Sequence, residues 1–170
     1  MSPHRPLISE RTPTLENSHT RWREPQDADD GQTVGSLSRL LELERDMIAA
    51  LLAARNRLEL PTARALLDEI LTDHAGRLPT LERHIRDLGG VPPDPGTRAS
   101  DLPRDAAEIA VLTEERDALR AVVDDHEALI GHYQSALAAV AHDAEARRLL
   151  ELDAAETERH RARLADAAAL

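Results

Sequence analysis

The sequence predicts an all-α protein built as an antiparallel four-helix bundle, and three observations carry that expectation. Alanine, leucine, arginine, aspartate and glutamate dominate and Phe is absent; such chains favour helices, and small side chains let helix axes approach closely. Four segments carry apolar residues at alternating steps of four and three, the spacing of one packed helical face. Short turns link the first segment to the second and the third to the fourth. A long Pro/Gly-rich connection between helices 2 and 3 is able to travel along a bundle.

Residues 1–32 mix Pro, Ser, Thr, Arg and acidic residues without apolar periodicity, the composition of a disordered arm. Trp22, inside Arg21-Trp22-Arg23, is either incidental there or part of a short docking peptide for a partner. The bundle domain is expected over 33–170. Its first helix, from Val34, shows Leu37, Leu41, Glu44, Ile48, Leu51, Arg55 and Leu58 on one face. Pro61 suits the first turn of the second helix, which carries Leu67, Leu71, His74, Leu78, Leu81, Ile85 and Leu88. Gly89-Gly90 and Pro92-Pro93 end it, and Pro79 within it predicts a kink near Ala75. After the connection, a short helical piece near 103–112 and a break at Thr113 are expected. The third main helix follows, with Leu119, Val123, His126, Ile130, Tyr133, Leu137 and Val140. A turn at His142-Asp143 leads to a fourth, with the poorer stripe Leu149, Asp153, Glu156, His160 and Leu164.

Charge and composition exclude several functions. A formal charge of −11 opposes binding to nucleic acid or an anionic membrane. Without cysteine there is no disulfide, thiolate metal site or cysteine nucleophile. The longest apolar run, Met47–Ala54, is too short to span a bilayer. The first residues lack the apolar region of a signal peptide, so a soluble cytoplasmic protein is expected. No Gly-x-Ser-x-Gly and no phosphate-binding glycine loop occurs.

Polar residues interrupt the four stripes at one level. Glu44 lies fourteen residues before Leu58 and His74 twelve after Thr62; His126 lies fourteen before Val140 and Glu156 twelve after Ala144. At about 1.5 Å per residue, each stands roughly 20 Å from its turn. His160 follows one turn after Glu156. Carboxylates and imidazoles are costly to bury unless paired or bound to metal, and together they suit iron, manganese or zinc. Glu44, His74, His126, Glu156 and His160 are therefore the candidate metal ligands. Each position also has an ordinary reading: a hydrogen-bonded core histidine, Glu44 paired with Arg55 or Arg77, or Glu156 as a solvated surface residue. Tyr133 is expected in the core with a partner for its hydroxyl. Asp124, Asp125 and Asp153 read as surface acids, and His84, His132 and His142 as exposed.

Residues 34–167 resemble the ferritin-like superfamily, most closely its small bacterial stress-type bundles. The resemblance rests on two hairpins, a long crossover, inward Glu and His, the closing Leu88-Gly89-Gly90 before Pro92, and His126-Glu127 ahead of Tyr133. It implies ferritin-like topology, with Glu44 as the first-helix carboxylate, His74 as the second-helix imidazole, His126 or Glu127 from the third helix, and Glu156 with His160 from the fourth. Leu71 and Thr157 stand where that pattern places carboxylates, which leaves a mononuclear site, an asymmetric pair or a degenerate site open. The function implied is metal handling or protection against oxidative stress, in a protein that self-associates as a homodimer or higher oligomer. The alternative is a non-enzymatic interaction bundle whose buried polar layer fixes helix register. A third reading is a cargo protein docked through its N-terminal arm.

Overall fold

A computed structural model describes residues 24–169 as five helices with no strand among them: α1 (Glu24–Arg55), α2 (Pro61–Asp87), α3 (Ala106–Ala110), α4 (Glu115–Ala139) and α5 (Ala144–Ala169). Helix α1 packs against α2, α3 and α4, while α5 packs against α4 and α2. The number of its neighbours explains why α1 buries more than the single expected stripe. Leu37, Leu40, Leu41, Leu43, Met47, Ala50, Leu51 and Ala54 are all enclosed. Each such Leu contributes about 1.5–3 kcal/mol by leaving water.

The helix also starts earlier than the stripe suggested. Residues 24–32, assigned above to a disordered arm, are helical. Thr33 in the next turn is buried, with its hydroxyl 3.1 Å from His142 Nε2. That tertiary contact holds a turn whose own sequence is too polar to be recognised as helix. Residues 1–23, with Trp22 and the expected docking peptide, lie outside the described residues.

Helix α2 begins on Pro61 and continues past Pro79 to Asp87. Ala75 and Pro79 are both exposed, so the interrupted hydrogen bond lies on the face where water replaces it. Its end closes through two bonds, Gly90 N–H to the Ile85 carbonyl (2.8 Å) and Gly89 N–H to the Arg86 carbonyl (2.9 Å), with Gly89 at φ 79°. This is a Schellman closure, for which glycine is best suited. Gly90 is required for space as well: a Cβ there would stand 2.6 Å from Val34 Cγ1 of α1.

The connection from α2 to α4 is tied down by α1. Arg45 donates to the carbonyls of Pro93 (3.0 Å) and Asp94 (2.9 Å), and Asp46 accepts from the amides of Ala99 (2.9 Å) and Ser100 (3.0 Å). Helix α3 is fixed by a capping box between Asp105 and Glu108 and buries Ile109. The break at Thr113 and the restart at Glu115 follow the sequence expectation. Asp143 caps α5 through the amides of Glu145 (3.0 Å) and Ala146 (2.9 Å).

Asp125, expected on the surface, is buried because the connection covers it. Its Oδ1 accepts from the Arg104 amide (3.0 Å), while Oδ2 has no partner. Burial raises its carboxyl from 3.8 to about 7. A carboxyl raised in the folded state contributes most below its unfolded value, and that contribution is lost as pH climbs through the folded one. Asp125→Asn is therefore expected to stabilise the fold by on the order of 1–2 kcal/mol at pH 8 and to have little effect near pH 4. Urea unfolding at the two pH values checks this; equal effects at both would rule out a titrating Asp125.

Candidate metal centre

Helical phase brings four of the five candidate ligands into one enclosed cluster. Glu44 from α1, His74 from α2 and His126 from α4 are fully buried, and His160 from α5 is 2% exposed. Glu156 does not share that interior position. The buried side of α5 runs Ala146, Leu150, Asp153, Thr157, His160 and Leu164, so Thr157 occupies the inner place and Glu156 lies on the flank. There Glu156 meets Arg77 (3.2 Å) and Arg159 (3.5 Å). Glu127 is exposed and paired with Arg161 at 3.3 Å. Asp153, expected on the surface, is buried. His84 is buried too, against Asp143 at 3.2 Å, whereas His142 is exposed as expected.

The hydrogen bonds assign a role to each nitrogen. Arg77 Nη1 has two protons; one goes to Glu44 Oε1 (3.0 Å) and the other to the Thr157 hydroxyl (2.8 Å). None is left for His74 Nδ1, so that nitrogen carries its own proton and donates to Glu44 Oε2 at 2.5 Å. Tyr133 donates to Glu44 Oε1 at 2.5 Å. Both oxygens of Glu44 are thus occupied by donors from α2 and α4. Burial pushes the Glu44 carboxyl up, but His74, Arg77 and Tyr133 outweigh it and hold the group at about 2. Arg55, the other partner considered for Glu44, pairs instead with Asp68.

His126 donates from Nδ1 to the Val122 carbonyl at 2.6 Å. Its Nε2, which carries no proton, faces His74 Nε2 at 3.3 Å. Burial, then the neighbouring His74, lowers His126 to about 3, so its ring is neutral. His160 donates from Nε2 to Asp73 Oδ2 at 3.0 Å, and its buried Nδ1 has no partner. Burial also lowers His160, again with His74 contributing. Each imidazole therefore has one nitrogen anchored to a carboxylate or carbonyl; the second nitrogens of His74 and His126 meet each other, and that of His160 has no partner. The three rings offer nitrogens within 4.8 Å of one another.

No family model matches the chain, and neither a curated protein nor a solved structure matches it.

The chemistry of the donor set can still be read from geometry. Metal-bound histidines almost always donate their second N–H to a carboxylate or backbone carbonyl, which fixes the tautomer and strengthens the ligand. His74 through Glu44, His126 through Val122 and His160 through Asp73 all follow that pattern. A tetrahedral ion with bonds of about 2.0–2.1 Å to nitrogen has nitrogens about 3.3–3.4 Å apart. The 3.3 Å between the two Nε2 atoms equals such an edge, and is also a hydrogen-bonding distance. Asp73, Glu156 and His160 form a second, more open group with ligand atoms within 4.8 Å.

Three contributors were not legible as site residues in the sequence. Asp73 adjoins His74 and so points off the apolar stripe, yet from α2 it reaches His160 of α5. Thr157 stands where the ferritin-like pattern places a carboxylate, and its hydroxyl accepts from Arg77 instead. Arg77 was recognised only as a partner for Glu44, although it also binds α5. No helix among the described residues is long and apolar enough to cross a membrane.

Proposed function

We propose that this chain is a metal-binding helical-bundle protein holding one divalent transition ion on His74, His126 and His160. The observation that carries the reading is that all three buried imidazoles are anchored through one nitrogen, while the second nitrogens of His74 and His126 meet at 3.3 Å and that of His160 has no partner. Glu44 acts from behind His74, and Asp73 from behind His160. Their two carboxylates supply the negative charge that a divalent ion needs in a dry site. Nitrogen donors select zinc, iron or manganese over calcium and magnesium. Three protein ligands leave a fourth position for water or a small molecule, and metal handling or oxidative-stress protection is the role we infer.

The topology we infer is ferritin-like, with α1–α2 and α4–α5 as antiparallel hairpins. Supporting it, Glu69 meets Arg163, Asp73 meets His160, Arg77 meets Thr157 and His84 meets Asp143. Numbers rise along α2 as they fall along α5. The second reading, a structural bundle with a buried polar network, is supported by the hydrogen bonds that link Glu44, Arg77, Tyr133 and Thr157.

Metal titration separates the two. Untagged protein stripped with chelator is offered zinc, iron, manganese or cobalt, and bound metal is measured by mass spectrometry. Cobalt adds visible absorption that reports tetrahedral nitrogen coordination. About one equivalent is expected; no retained metal with any cation would leave only the structural network.

A further inference from the structure

Beside the three imidazoles lies a second, partly buried cluster with its own cation already in place. Arg77 extends from α2 and is 4% exposed. Its guanidinium faces Glu44 of α1 at 3.0 Å, and Glu156 at 3.2 Å and Asp153 at 3.8 Å, both of α5. The Thr157 hydroxyl completes the ring at 2.8 Å. The fit is incomplete: Arg77 Nε has no acceptor and Asp153 Oδ2 has no donor, although both atoms are buried. A bidentate arginine–carboxylate pair would have satisfied them. Three carboxylates and a hydroxyl around one positive charge are instead an all-oxygen set of the kind hard divalent cations take.

We propose that Arg77 is a tethered resident cation, filling an oxygen-lined position next to the imidazole trio and thereby holding the metal centre mononuclear. The inference deepens the metal-binding reading and rests on it. Like charges at short range exclude each other in a low-dielectric interior, so a guanidinium touching Glu44 denies that carboxylate to a second ion. With the guanidinium removed, the buried Glu44 and Asp153 and the half-buried Glu156 are left as carboxylates without a counter-charge. A divalent cation then supplies it.

The test compares cation stoichiometry in the wild type, Arg77→Ala and Arg77→Gln, using manganese, which prefers oxygen and is read by electron paramagnetic resonance, and zinc. The glutamine variant keeps side-chain hydrogen-bond donors, so it retains a folded protein should the alanine variant unfold; far-ultraviolet circular dichroism checks both. Expected is about one cation more in the variants than in the wild type, with spin coupling when both positions hold manganese. A folded variant that binds no more cations than the wild type overturns the assignment of Arg77. Failure of the metal-binding reading is a different result: no metal in the wild type itself.

Discussion

Replacing Glu44 by leucine destabilises the fold by about 3–5 kcal/mol, the cost of removing one partner from a buried ion network. Leucine matches the surrounding stripe, so the loss is not one of apolar packing. It comes from three donor protons left without an acceptor: one of the two on Arg77 Nη1, that of the Tyr133 hydroxyl and that of His74 Nδ1. Arg77 still meets Glu156, but that carboxylate is about one-third exposed and compensates weakly. The pH dependence has a definite sign. Glu44 is lowered from 4.5 to about 2, so its contribution is complete above 4.5 and is lost as pH falls through about 2. The gap between wild type and Glu44→Leu should close as pH falls from 4.5 towards 2. Urea unfolding across that range measures it. A loss under about 1 kcal/mol at pH 7 would mean that the network does not stabilise this fold. Glu44→Gln, neutral but still able to accept at one oxygen, is expected to fall between the two.

His74 and His126 are buried as the stripes of α2 and α4 lead one to expect. The face around them is wider than each stripe: Ile70 and Arg77 in α2 and Val122 and Leu129 in α4 are buried, while Leu71, Leu78, Val123 and Ile130 are half-buried. In α5, Leu149, Leu150 and Leu152 allow several phases, and the true one is set by Ala146, Thr157 and Ala168, small residues with little apolar signal of their own. That ambiguity put Glu156 inside and Asp153 outside, the reverse of what the packing produces. Asp125 illustrates a different limit. Its burial depends on where an eighteen-residue connection (88–105) lies, and periodicity within α4 carries no information about that. Arg77 was hidden by the length of its side chain, which carries charge from α2 to α1 and α5. The level of the polar layer was legible because it needed only helix rise and turn position. The division of labour within the layer, with Glu44 bonded to His74 from behind, needed the hydrogen bonds.

His126→Leu should move stability and metal binding in opposite directions, and that opposition distinguishes a metal centre from a polar network kept for register. In the metal-free protein His126 contributes little that leucine cannot replace. Its ring is buried without charge, and the Val122 carbonyl to which it donates retains the helical amide of the same residue as a partner. The substitution also removes an unprotonated Nε2 facing His74 across 3.3 Å. Metal-free His126→Leu is therefore expected to be as stable as the wild type or more so, by up to about 1–2 kcal/mol. In the presence of zinc the order reverses. The wild type gains stability by mass action, about 2.7 kcal/mol when free metal is 100 times its dissociation constant. The variant, with two imidazoles left, should lose more than about 100-fold in affinity, since outer partners alone are worth 10–100-fold. Thermal unfolding with chelator and with excess zinc gives all four values. A variant less stable than the wild type by the same amount in both conditions would assign His126 to the structural network and remove it from the metal centre.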